Sequence, residues 1–153
     1  MKLAHALTAL LIAATLFGCT TSSKPVVSVS LVATRQNTGQ IGNVTLADWD
    51  NKTGLSFFIS GVPSGGTLPL RLYTFIYKGS CQHPGAVAYA MNDQVNTERQ
   101  PIRGWTLSRS APVALSVLLA GEYSIVVRTA ATDGNVDIFC GDIKHAGAAN
   151  PPQ

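Results

Sequence analysis

Apolar positions along this chain recur mostly with period two. Val27, Val29 and Leu31 alternate with Ser28, Ser30 and Val32, the pattern of a half-buried strand, because successive side chains of a pleated backbone point to opposite faces. The alternation returns over residues 44–47 and again at Leu55, Phe57 and Ile59, with Ser56 and Ser60 facing the other way. Asn51-Lys52-Thr53-Gly54 between these two runs reads as a turn, so they are expected to form a hairpin. Residues 61–66, with Pro63, make the next break. In residues 70–77, Leu70, Leu72, Thr74 and Ile76 fall on one side and Arg71, Tyr73, Phe75 and Tyr77 on the other. Bulk on both faces predicts a central strand or one lying over an aromatic cluster.

Residues 78–85 read as a loop holding Cys81, His83 and Pro84, residues 87–91 as a short strand, and residues 92–100 as polar loop. Residues 102–108, containing Trp105, are a candidate strand, and residues 112–120 fit either a strand or one helical turn. The last two strands are expected at 123–129 and 136–143, separated by a turn at 131–135. Residues 145–153, with Asn150-Pro151-Pro152, have nothing to bury and read as a frayed tail. Seven or eight short strands, with no long helical period beyond the first 18 residues, predict an all-β Greek-key sandwich or flattened barrel.

The amino terminus has a different grammar. Met1 and Lys2 open it, residues 6–17 are an apolar run of 12, and Leu16-Phe17-Gly18-Cys19 ends it. Twelve residues rise about 18 Å as a helix, short of the roughly 30 Å hydrocarbon core, so the run is the apolar region of a signal peptide and not a permanent span. The ending resembles the bacterial lipobox, in which a small residue precedes a cysteine that is acylated and exposed by cleavage; Phe17 is bulkier than that motif usually carries. The organisation expected is a lipoprotein signal at 1–18, a lipidated tether at 19–25, a β domain at 26–144 and the tail at 145–153. Two or three acyl chains on Cys19 make a stable anchor where one is marginal. Thr20 in place of Asp points, by analogy with enterobacterial sorting, to the outer membrane of the cell envelope.

Composition adds two points. Apolar residues make up 46% and charged residues 12%, too apolar for disorder, and 153 residues hold one domain with a single core. The formal charge of +3 includes Lys2; without it ten Lys and Arg stand against eight Asp and Glu, scattered singly, which gives no electrostatic footprint for nucleic acid. There are three cysteines. Lipid on Cys19 leaves Cys81 and Cys140 as the candidate disulfide pair of an oxidising compartment.

Chemistry is sparse. Ser, His and Asp are present, yet no Gly-x-Ser-x-Gly elbow occurs and His83 has no acidic neighbour in sequence. The glycines of residues 61–66 lack the Lys and the helix that a phosphate loop requires.

Several segments together resemble Cu/Zn superoxide dismutase and the related CHRD-type domains. They are residues 44–62, the run Phe75-Ile76-Tyr77-Lys78-Gly79-Ser80-Cys81, the run Tyr123-Ser124-Ile125-Val126-Val127-Arg128, and Asp133-Gly134 leading to Phe139-Cys140-Gly141-Asp142-Ile143. Cys140-Gly141-Asp142-Ile143 matches the final strand that bears one half of that superfamily's disulfide, and Cys81 matches the other half, so the resemblance also implies this pair. It places copper ligands, His-x-His and a further His, at Phe75-Ile76-Tyr77 and at Arg128. Phenylalanine has no lone pair, a neutral phenol is a poor copper ligand, and a guanidinium is a permanent cation. The expectation is therefore a metal-free relative without cofactor and without catalytic residues. Its surface of Tyr73, Phe75 and Tyr77, flanked by Arg71 and Arg128, is a candidate for binding a protein or glycan, against the plainer reading that these aromatics are packing residues. Arg128 would then pair with an acid or accept an anionic ligand. The competing expectations are a passive structural component of the envelope with no specific ligand and a divergent metal-binding, dismutase-like enzyme using His83, His145 and carboxylates.

Overall fold

The computed structural model describes residues 24–144; the signal peptide expected at 1–18, Cys19 and the tail expected at 145–153 lie outside them. Nine strands form one antiparallel sheet: β1 (Val26–Ala33), β2 (Ile41–Trp49), β3 (Lys52–Ile59), β4 (Leu72–Gly79), β5 (Pro84–Ala90), β6 (Glu98–Arg99), β7 (Trp105–Ala111), β8 (Tyr123–Thr129) and β9 (Asp137–Ile143). One short helix, α1 (Leu115–Ala120), lies between β7 and β8. The order across the sheet is β5-β4-β8-β9-β1-β2-β3-β7-β6. In it β9 returns from late in the chain to lie beside the β1-β2-β3 meander, the Greek-key arrangement. The expected all-β class holds, with the sheet curled into a half-barrel around one core.

The curl buries one face of every long strand except β5, which lies at the sheet edge with no buried residue. Val27, Val29 and Leu31 of β1 pair with Leu46, Val44 and Gly42 of β2, which pair in turn with Leu55, Phe57 and Ile59 of β3. On the other half, Leu72, Thr74 and Ile76 of β4 lie opposite Thr129, Val127 and Ile125 of β8. All of these inward side chains are buried. Phe139 of β9 fills the space that Gly42 leaves, since a Cβ on Gly42 would sit 3.3 Å from its ring and from Ile59 and Leu31.

Residues 92–97 join the two edges of the sheet. They leave β5 at one edge, run past the start of β4 and enter β6 at the other. On the way the Leu72 amide donates to the Val95 carbonyl at 2.9 Å, the Thr74 amide to Asn92 Oδ1 at 2.8 Å and the Thr97 hydroxyl to the Leu70 carbonyl at 2.9 Å. This strap draws the half-barrel together.

Local boundaries differ from the sequence expectation at several places, and the short β6 falls within the loop expected at 92–100. The first hairpin turns at Asp50-Asn51, not over residues 51–54, because Trp49 pairs with Lys52. Thr53 is already in β3, buried, with its hydroxyl on the Val113 carbonyl at 2.8 Å, and the Trp49 ring lies over Gly54. The strand expected at 102–108 is β7, displaced to Trp105–Ala111. Gly104 sits at φ 97° with its Cα against the Ile59 carbonyl, so pairing with β3 begins only at Trp105, and Ile102 is left 97% exposed. The loop expected at 78–85 shrinks to residues 80–83, β4 running through Gly79 and β5 starting at Pro84. Residues 112–120 resolve into α1 at Leu115–Ala120, whose Leu115 and Leu118 are buried in the core.

Candidate functional site

Alternation along β4 puts Tyr73, Phe75 and Tyr77 on the outer face of the sheet, all three half-buried. The register of β4 with β8 sets Tyr73 opposite Arg128, Phe75 opposite Val126 and Tyr77 opposite Ser124. Arg128 is the centre of the group. Its Nε donates to Asp137 Oδ1 at 2.6 Å, one terminal nitrogen donates to the Tyr77 hydroxyl at 3.2 Å, and its guanidinium carbon stands 5.0 Å from the centre of the Phe75 ring. Phe75 and Tyr77 lie 6.1 Å apart, tilted at 57°. The carboxylate of Asp137 raises the pKa of Arg128, and Tyr77 adds to this in the same direction. The pair is partly open to solvent, with side-chain exposures of 24% for Arg128 and 44% for Asp137, so it contributes under about 1 kcal/mol to stability.

Four of the five sequence-predicted surface residues thus meet at one place. Arg71 does not join them: it pairs with Asn96 beside the strap and faces Asp133, whose carboxyl is held below its usual range chiefly by hydrogen bonds from Thr67, with Arg71 adding a smaller pull. Trp105 is likewise elsewhere, with Arg99 stacked 5.0 Å from its ring centre.

Sequence reasoning missed Asp137. Counting outward from the 131–135 turn would have found it, since Thr129 bonds Val136 and the next pair out is Arg128 with Asp137. The same outer face also carries Val32 and Ile41, a cross-strand pair exposed at 71% and 68%, with Val32 next to Cys140 on β9. Exposed apolar residues grouped beside polar ones mark interaction surfaces more often than isolated ones do.

The disulfide Cys81–Cys140 is formed, with the Cα atoms 5.9 Å apart and 59 residues between them in sequence. It lies on this outer face and ties the 80–83 loop to β9; the Cys81 amide adds a second tie to Asp142 Oδ1 at 2.7 Å. Ser124 and Val126 are buried although they point outward. The Ser124 hydroxyl has no hydrogen-bond partner there. Removing a buried, unpaired hydroxyl removes a desolvation penalty, so Ser124→Ala is expected to leave the fold intact and raise the unfolding free energy by about 1 kcal/mol, read as a higher urea midpoint at constant slope.

The residues at the positions where the superfamily's copper ligands would stand do not fit a copper ion. Phe75 offers a ring face already occupied by a cation, Tyr77 accepts a hydrogen bond from that cation, and Arg128 is the cation itself. His83 is exposed in the 80–83 loop, its amide bonded to Ser80. Among the described residues no group of three or more His, Cys, Asp or Glu is placed to hold a metal ion; His145 lies outside them. No protein-family model, no curated protein and no solved structure matches the chain.

Proposed function

We propose that this chain is a lipoprotein of the bacterial cell envelope, anchored by acyl chains on Cys19 after loss of residues 1–18, seated at the outer membrane. Its superoxide dismutase-like, metal-free β domain is a binding module that recognises a protein or glycan without catalysing a reaction. The observation that carries the recognition reading is the Arg128 assembly. A guanidinium locked by Asp137, Tyr77 and Phe75 on a half-open face is a preorganised donor, and rigid aromatic and Arg anchors dominate binding energy at interfaces. Val32 and Ile41 add apolar area beside it. The lipid reading rests on Leu16-Phe17-Gly18-Cys19 and on the pairing of the other two cysteines with each other, which leaves Cys19 as the odd thiol.

The test is capture from envelope extract by the full-length, detergent-extracted protein, run beside an Arg128→Ala/Tyr77→Phe double variant. The ion pair and the ring contact are each worth under about 1 kcal/mol at such exposure, so the variant should fold with a slightly lower midpoint. It should lose at least tenfold in partner affinity, the effect of removing a hot-spot side chain worth about 2 kcal/mol. Equal capture by both proteins ends the recognition reading.

A further inference from the structure

Exposed apolar side chains gather at a second place, remote from Arg128. β1 begins at Val26 opposite Ala47, so the start of β1, the Trp49-Lys52 hairpin end and α1 lie at one end of the half-barrel. Arg128, Asp137 and Tyr73 lie at the other end, beside the finish of β1. The near end carries Val26 at 61% exposure, Trp49 at 59% and Val117 at 48%. Val26 and Trp49 share the outer face, and a shallow groove of about 470 Å³ runs from Pro25 and Val26 to Ala114 and Leu119 of the α1 region.

The length of chain ahead of this end decides what covers it. Cys19 is five residues before Lys24, and a fully extended chain spans about 3.5 Å per residue, so lipid on Cys19 lies within about 18 Å of the domain. Lys24 itself lies at the near end, where its ammonium meets Asp50 in an exposed ion pair at 2.6 Å. A tether this short cannot carry the bilayer round to the opposite end. The near end holds Lys24, Lys52, Lys78 and Lys144 against Asp48, Asp50, Glu122 and Asp142, so its formal charge is balanced and apolar contact must supply the attraction.

We infer that the near end of the domain docks on the lipid surface, with the Trp49 ring, Val26 and Val117 in the headgroup layer. Tryptophan is suited to that layer, its ring apolar and its indole N–H able to meet water or headgroups. Docking holds the Arg128 end of the sheet away from the membrane, where a partner reaches it. The inference rests on lipid being attached to Cys19.

The native lipidated protein, reconstituted into zwitterionic vesicles containing brominated phospholipid, tests it. Trp49 and Trp105 are the only two tryptophans, so the difference between wild type and Trp49→Phe reports Trp49, while Trp105 in the variant reports the fold. The Trp49 signal is expected to be blue-shifted and largely quenched by the brominated lipid, and unchanged when anionic lipid or salt is added. Acylated protein whose Trp49 is unquenched by lipid but open to acrylamide overturns the docking and leaves the lipoprotein reading standing. Trp49 shielded from both quenchers overturns it in favour of a protein cover, such as a second copy. Mass spectrometry showing unmodified Cys19 overturns the docking and the lipoprotein reading together.

Discussion

Removing the Cys81–Cys140 bridge, as the Cys81→Ser/Cys140→Ser double variant, is expected to lower the unfolding free energy by about 4 kcal/mol. The bridge closes a loop across 59 residues, and the chain-entropy relation assigns roughly 4 kcal/mol to a loop of that length, since the unbridged unfolded chain gains the conformations that closure forbids. A small domain has about 5–15 kcal/mol in total, so the variant keeps its native sheet but unfolds at much lower urea. The slope of unfolding should rise at the same time, because a chain without the bridge exposes more surface when unfolded. There is a local consequence too. The 80–83 loop is left held to β9 by the single bond from the Cys81 amide to Asp142, and amide exchange along residues 80–83 and at Val126 should quicken well before global unfolding. An unchanged midpoint in the double variant would show that the bridge adds nothing to the folded domain.

This bridge was legible in the sequence only indirectly, through an argument about compartment and lipid and through a family resemblance, whereas the strands were legible directly. Where burial is one-sided, period two is forced by the pleat, and Val27-Val29-Leu31, Leu55-Phe57-Ile59 and Leu72-Thr74-Ile76 all face inward as their spacing requires. The boundaries that moved are those fixed by contacts distant in sequence. β7 starts late because Gly104 is pressed against the Ile59 carbonyl, and no window around Ile102 contains that information. The proposed binding face was half legible: alternation grouped Tyr73, Phe75 and Tyr77, but joining them to Arg128 needed the β4-β8 register. Arg71 shares their parity and still stands apart, because β4 begins only at Leu72 and Arg71 is engaged by Asn96 across the strap. Parity gives a residue its face; the end of the strand decides its neighbours.

The register also separates the two ends of the molecule. The chain enters at Val26, and β8 delivers Arg128 to the opposite end. On the function proposed above, an anchor at the Val26 end and a partner site centred on Arg128 and Asp137, toward the other end of the half-barrel, would form one device, with the partner site held clear of the surface that carries it. Its rigidity depends on the strap of residues 92–97, which is where β4 gains its start and where the curl is secured.

Arg109 was given no role by sequence reasoning, yet the largest single-residue effect after the bridge is expected there. Alternation along β7 turns it inward between Leu107 and Ala111, opposite Leu55, and it is 7% exposed with no carboxylate partner. Its terminal nitrogens donate to the carbonyls of Ser108 at 2.8 Å, Leu72 at 3.1 Å and Asn96 at 3.3 Å, while Nε has no partner. Burial lowers its pKa, but a guanidinium stays protonated at any working pH. The side chain therefore reaches across the core from β7 and fastens both the start of β4 and the strap. Arg109→Ala removes those bonds and opens a cavity, which should lower stability by about 3 kcal/mol. Arg109→Met keeps most of the volume and relieves the buried charge, and replacing buried ionic groups with apolar ones of similar size is often nearly neutral, so it should fall within about 1 kcal/mol of wild type. Hydrogen exchange separates packing from fastening: the Leu72 amide, bonded to Val95 in the strap, should lose protection in both variants, because neither methionine nor alanine can donate to Leu72 and Asn96 at once. Should Arg109→Met be as unstable as Arg109→Ala, the three carbonyl bonds outweigh the desolvation of the charge, and Arg109 is holding the half-barrel closed by hydrogen bonding alone.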